Sequence, residues 1–168
     1  MPVEGNYQLQ LEKVDENGNL ITSSETEFGW TLPGQSEQTG KTVNGILNLG
    51  MVEITDIATP DTITIREITA PNGYIKLIDN ITVQVTKGEE NGNYVITGAE
   101  MTAGQVEGAT VELNGNVITI TVPNKLLEGN YQVQLEKVDE NGNIITSSEA
   151  EFGWTLPGQG EQTGTTTN

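Results

Sequence analysis

Residues 62–74 read TITIREITAPNGY, and their reading decides the fold. In the first half Ile63, Ile65 and Glu67 share one parity, and Thr62, Thr64 and Arg66 the other. A period of two is the mark of a half-buried strand. The isoleucine face must look inward, and it carries Glu67 with it. A carboxylate aimed into a β core is costly unless it is paired, neutralised or used. The second half, Ala70-Pro71-Asn72-Gly73, is turn chemistry that stops the strand sharply.

Two more strands send a polar group to the same place. Tyr7, Leu9, Leu11 and Lys13 share a parity near the N-terminus, opposite Gln8, Gln10 and Glu12. Further on, Ile118, Ile120, Val122 and Asn124 share a parity, opposite Val117, Thr119 and Thr121. Each apolar face ends in one polar residue. An amine, a carboxyl and a carboxamide thus converge on one core.

The totals bound the possibilities. The 168 residues give room for one domain and part of another. Aromatics are scarce, 20 glycines and 6 prolines punctuate the chain, and long helical periodicity is absent. That combination predicts an all-β sandwich of short strands. The net charge of −17 repels nucleic acid and anionic lipid, and no basic patch offsets it, so nucleic-acid binding is rejected. With no cysteine and no histidine, disulfides, thiolate zinc sites, cysteine nucleophiles and Ser-His catalysis all drop out. No cofactor loop is present, and no metal or cofactor is expected. No apolar stretch is long enough to span a membrane, so no membrane contact is expected of this fragment. Met1-Pro2-Val3 leads straight into a strand, and LPGQSEQTG lacks the Leu-Pro-x-Thr-Gly spacing of a sortase anchor. A secreted parent would therefore carry its signals elsewhere.

An internal repeat dominates the organisation. Glu4 to Asn44 recurs from Glu128 to Asn168 with 35 of 41 positions identical. The sequence predicts a complete module over residues 5–126 and the N-terminal third of another over 128–168. Only Lys125 to Asn130 joins them, with no Gly/Ser-rich or proline-rich spacer.

Within the first module, strands are expected at Tyr7–Val14, Leu20–Thr22, Glu27–Leu32, Gly45–Leu49, Val52–Ile57, Thr62–Thr69, within Ile75–Lys87, at Tyr94–Thr97, Thr110–Leu113 and Val117–Val122. Loops are expected at Pro33–Gly40 and Ala99–Gly108, and Asn-Gly turns at Asn17-Gly18 and Asn114-Gly115. Asp15 to Asn19 has a faint calcium-loop look, but a plain hairpin turn fits it better. Trp30 and Trp154 fit core or inter-module packing better than a stacked ligand.

The stretch around Glu67 resembles the E-box of Cna-B-type (collagen-adhesin B, prealbumin-like) modules of Gram-positive surface proteins and pilins. That pattern ends in Glu-x-x-Ala-Pro-x-Gly-Tyr, matched by Glu67, Ala70, Pro71, Gly73 and Tyr74. The family's lysine late in the first strand is matched by Lys13, and its asparagine or aspartate late in the last strand by Asn124. The chain departs from the pattern at Ile63, where an aromatic is usual, and in ITSSETEF, where Gly-Ala-x-Phe is usual.

Burial lowers a lysine pKa and raises a glutamate pKa, so a buried pair can exist as neutral amine and neutral acid. Neutral Lys13 could attack the carboxamide carbon of Asn124, with Glu67 polarising the carbonyl and moving the proton to departing ammonia. The product is an isopeptide crosslink between first and last strands, and the resemblance implies this same single-turnover reaction. Parity alone fits better an ordinary Lys13–Glu67 ion pair with Asn124 capping the strand end; the resemblance favours the crosslink. Lys137 is the matching lysine of the second copy, which has neither an E-box nor a terminal asparagine.

The expected protein is thus a prealbumin-like or Ig-like sandwich, repeated in tandem as the extracellular stalk or fibre of a Gram-positive surface protein or appendage. A turnover enzyme is not expected. The alternative is an adhesin module that binds a host or matrix ligand. Expected partners are adjacent repeats or copies of itself, including strand exchange through 128–168.

Overall fold

The computed structural model describes residues 4–104, 106–129 and 131–167. Gln105 of the expected Ala99–Gly108 loop, and Asn130 and Asn168 of the repeated segment, lie outside the described residues. The chain divides into two compact units, 1–128 and 129–168. Among the described residues no helix is long and apolar enough to cross a membrane.

The first unit is a sandwich of two sheets. Its strands are β1 (Asn6–Val14), β2 (Glu27–Thr31), β3 (Gln38–Lys41), β4 (Ile46–Glu53), β5 (Asp61–Thr69), β6 (Ile81–Glu90), β7 (Asn93–Ala103), β8 (Thr110–Asn114) and β9 (Val117–Pro123). One sheet has the order β4-β1-β9-β8, the other β3-β2-β5-β6-β7. Neighbours run antiparallel except β1 and β9, which are parallel, with Leu9 beside Ile118 and Lys13 beside Val122. Both edges of β1 are therefore paired, and its inward residues Tyr7, Leu9 and Leu11 are fully buried. Ile63 and Ile65 of β5, Val83 and Val85 of β6, and Ile118 and Ile120 of β9 complete the core between the sheets. The period-two reading of these strands holds residue by residue.

The expected boundaries need four corrections. Gly45–Leu49 and Val52–Ile57 are one strand, β4, bulged where Leu9 faces Gly50 and Gln10 faces Asn48. Gly50 takes φ 117° there, and its N–H donates to Asn48 Oδ1 at 2.9 Å. A glycine at such a bulge reads locally as a turn, which is why the strand looked broken. Leu20–Thr22 is not a strand; Leu20 forms one bridge to Val14. The expected loop at Pro33–Gly40 closes into β3, which pairs with β2. The first half of the expected Ala99–Gly108 loop is strand, because β7 runs on to Ala103 against β6. Ala, Gly and Glu carry little β propensity, and a ten-residue partner strand overrides it.

The turns follow their chemistry. Gly18 and Gly115 take φ of 85° and 61°. The Asp15 carboxylate accepts the backbone N–H groups of Asn17 and Asn19, both at 2.9 Å, so it serves the turn itself. At the far end of the sandwich from Lys13, Asp61 accepts from Tyr7 Oη at 2.8 Å and from Lys87 Nζ at 2.7 Å. Burial, reinforced by the Asp61 carboxylate, pushes the Tyr7 phenol well above its ordinary range. Trp30 is buried and donates through its indole N–H to Leu49 O at 2.8 Å.

In the second unit, β10 (Glu151–Trp154) pairs with β11 (Gln162–Thr165), with Glu151 facing Thr165 as Glu27 faces Lys41 in the first. Asp139 organises its turn as Asp15 does. Residues 131–137, the copy of β1, form no strand.

Candidate functional site

Three strands deliver the polar residues to one end of the core. Lys13 is the penultimate residue of β1, Glu67 lies near the end of β5, and Asn124 directly follows β9. Their exposures are 0%, 5% and 1%. The parallel register sets Lys13 beside Val122, and Asn124 follows two residues on, with the same inward parity. Asn124 N–H bonds Val14 O at 3.0 Å, which fixes the strand end. Glu67 comes from the opposing sheet, where Phe28 of β2, also fully buried, pairs with it.

Backbone groups orient the three side chains. Lys13 Nζ donates to Val122 O at 2.6 Å. Asn124 Nδ2 donates to Ile75 O at 2.9 Å and to both Glu67 oxygens at 3.1 Å. A backbone carbonyl can only accept, so Ile75 fixes which side of the carboxamide carries nitrogen. Leu77 N–H donates to Glu67 Oε2 at 2.7 Å. The segment after the Pro71–Gly73 turn thus closes over Glu67. The sequence gives no sign of these partners, because Val122, Ile75 and Leu77 act through main-chain atoms that any residue would supply.

Two electrostatic features stand out. Burial lowers the Lys13 amine to about 8, although the nearby Glu67 carboxylate pulls it back up. Asn124 Oδ1 is buried without a hydrogen-bond partner. An unpaired buried carbonyl carries an energetic cost, and its oxygen is open to a donor that would polarise it. Amine, amide and acid are thus gathered away from water, the arrangement amide exchange needs. Glu67 meets the nitrogen of Asn124, the atom that would leave, rather than its oxygen. Proton delivery is the role this contact fits; the expected polarising of the carbonyl by Glu67 has no contact here.

Lys137 stands apart. It is exposed in the second unit, which contains no counterpart of Glu67 or Asn124.

The exit from the first unit is held by hydrogen bonds. Ile75 N–H bonds Lys125 O at 2.8 Å, and Leu127 N–H bonds Gly73 O at 2.7 Å. Tyr74 and Leu126 form a bridge between them. The segment that closes over Glu67 also grips the chain leaving Asn124.

The first unit is thus a two-sheet β-sandwich whose first and last strands pair in parallel and whose core buries Lys13, Glu67 and Asn124. Residues 7–100, more than half of the chain, match the SpaA prealbumin-like fold domain, and the chain belongs to that family. Asn124 lies beyond the matched residues. Among solved structures, a C-terminal fragment of the pilus adhesin SpaC from Lactobacillus rhamnosus GG is similar at 18% identity with a TM-score of 0.52, covering 77% of this chain and 48% of that one. The open conformation of that adhesin is similar at 18% identity with a TM-score of 0.49, covering 77% and 16%. The chain thus spans about half the length of the fragment. At this identity the likeness shows the fold alone. No curated protein matches.

Proposed function

We propose that the first unit is a mechanical module of a surface stalk or fibre, locked by an isopeptide bond that it forms on itself between Lys13 and Asn124. The observation that carries this reading is the burial of Lys13, Glu67 and Asn124 together at the joined ends of β1 and β9. The lowered Lys13 pKa makes the neutral amine accessible near neutral pH. That amine attacks Asn124 Cγ. The Nζ–Cγ bond forms, the Cγ–Nδ2 bond breaks, and Glu67 carries the amine proton to Nδ2, which leaves as ammonia. Fixing the groups in one core supplies the effective concentration. The reaction runs once per molecule.

The bond would join the first strand to the last, so force applied at the two ends of the module would bypass its body. The short joint and the near-identical repeat in the sequence support modules that follow one another in series. The test is the intact mass of the denatured protein. A deficit of about 17 Da, one ammonia, is expected, and Lys13→Ala or Glu67→Ala should abolish it. A mass equal to that of the sequence would leave Lys13, Glu67 and Asn124 as an unreacted buried polar cluster only.

A further inference from the structure

We infer that residues 125–127 are positioning residues of the Lys13–Glu67–Asn124 site, which is assembled only while they are seated on residues 73–75. What this seating does to the crosslink rests on the isopeptide reading proposed above. Gly73 takes φ 83° at the turn after Pro71, and Tyr74 N–H closes that turn on Pro71 O at 3.1 Å. The chain then runs beside the residues that follow Asn124. Leu127 N–H donates to Gly73 O at 2.7 Å, Tyr74 bridges Leu126, and Ile75 N–H donates to Lys125 O at 2.8 Å. Together these contacts form a short antiparallel ladder at the end of the core where the site lies.

Ile75 works at both ends of this link. Its N–H is held by Lys125, and its carbonyl accepts Asn124 Nδ2 at 2.9 Å. Two residues on, Leu77 packs against the core and donates its N–H to Glu67 Oε2 at 2.7 Å. Seating of 125–127 therefore sets the carboxamide and the acid together. Without it the main chain of Asn124 stays fixed by Val14 O, but only Glu67 still distinguishes the nitrogen edge of the carboxamide from its oxygen edge. A carboxylate accepts from Nδ2, whereas a carboxylic acid donates to Oδ1 and favours the flipped amide. The flip turns the leaving nitrogen away from its proton carrier. Asn124 is thus offered to Lys13 only once the chain is threaded as far as Leu127, and crosslinking of a partly threaded unit is suppressed.

Leu127 is 68% exposed, so a change of its side chain leaves the core intact. Leu127→Pro removes the N–H that Gly73 O accepts, and proline suits the extended Leu126 before it. The full chain is refolded and followed by intact mass. Leu127→Pro should lose about 17 Da roughly tenfold more slowly than the wild type, the weight of about one neutral hydrogen bond in a barrier. Leu127→Ala, which keeps the N–H, should restore the wild-type rate. The pH profile of Leu127→Pro should still level off above about 8, because Lys13 remains buried. A wild-type rate in Leu127→Pro would overturn the proposal. So would a profile displaced toward the ordinary lysine range, since that marks a loosened core rather than a mispositioned amide.

A second measurement needs no crosslink. In the Lys13→Met background, hydrogen exchange of the Asn124 carboxamide, read by nuclear magnetic resonance, should be slow with Leu127→Ala and fast with Leu127→Pro. If the wild-type chain shows no mass deficit, the isopeptide reading falls and this exchange decides the positioning by itself. Protection lost with proline and kept with alanine supports it; equal protection in the two double variants overturns it.

Discussion

Glu67→Gln is the sharpest perturbation of the site. Glutamine keeps the shape of glutamate and an oxygen for Asn124 Nδ2 and Leu77 N–H, so packing in the core is preserved. It cannot carry a proton between Lys13 and Asn124. The direct cost of replacing charge-assisted hydrogen bonds by neutral ones is about 1 kcal/mol. Losing the crosslink costs more. The bond would close a span of 111 residues from Lys13 to Asn124, and the chain-entropy relation for such a loop gives about 5 kcal/mol. For a unit of this size each kcal/mol moves Tm by roughly 3–5 °C, so the variant should melt about 15–25 °C lower. Lys13→Met should lose a similar amount, because methionine fills the buried site and removes the amine. The two losses share one cause. The double variant should therefore melt close to either single variant, with a coupling of about the full crosslink energy. Calorimetry on the four proteins measures this cycle. Additive losses, or a Glu67→Gln protein that melts with the wild type, would refute the reasoning.

Four further predictions concern the same site and two other parts of the fold. Protein that has never folded, refolded from inclusion bodies, should form the crosslink at a rate that rises with pH and levels off above about 8, where Lys13 becomes neutral; a rise continuing to the ordinary lysine value would place the amine in water. In Asn124→Ala, which keeps the amine unreacted, the folded pKa lies below the unfolded one. The unfolded chain then binds the extra proton between about pH 8 and 10.5, and stability read by urea titration should increase by about 3 kcal/mol across that window rather than fall. Asp61→Ala leaves Lys87 Nζ and Tyr7 Oη without their acceptor; the loss should be about 3–5 kcal/mol by urea titration, with a native-like fold by circular dichroism. Gly50→Ala forces a side chain to φ 117° at the β4 bulge and should cost about 1–3 kcal/mol on the same assay.

The core and the site residues were legible because both depend on parity. Period two put Lys13, Glu67 and Asn124 on inward faces, and the structure buries all three among the apolar residues of the same parity. What the pattern could not carry was anything set by main-chain atoms or by distant partners. The hold of Ile75 O and Leu77 N–H on the site depends on the path of the chain after Gly73, not on side-chain type. The bulge at Gly50 exists because β1 and β4 differ by one residue in register, which neither strand reveals alone. β3 has the composition of a loop and becomes strand only because β2 lies beside it. The repeat makes the same point within one chain. The sequence around Leu11 is a buried strand where β4 and β9 flank it, and the matching sequence around Leu135 is not a strand at all.

The central claim is mechanical: first and last strands are joined, and load bypasses the sandwich. Single-molecule extension, pulling the wild-type chain by its ends, tests it most directly. A joined module cannot pay out the 110 residues between Lys13 and Asn124, so no lengthening step of about 350–400 Å should occur. Glu67→Gln should show that step. The same step in the wild-type chain would contradict the account.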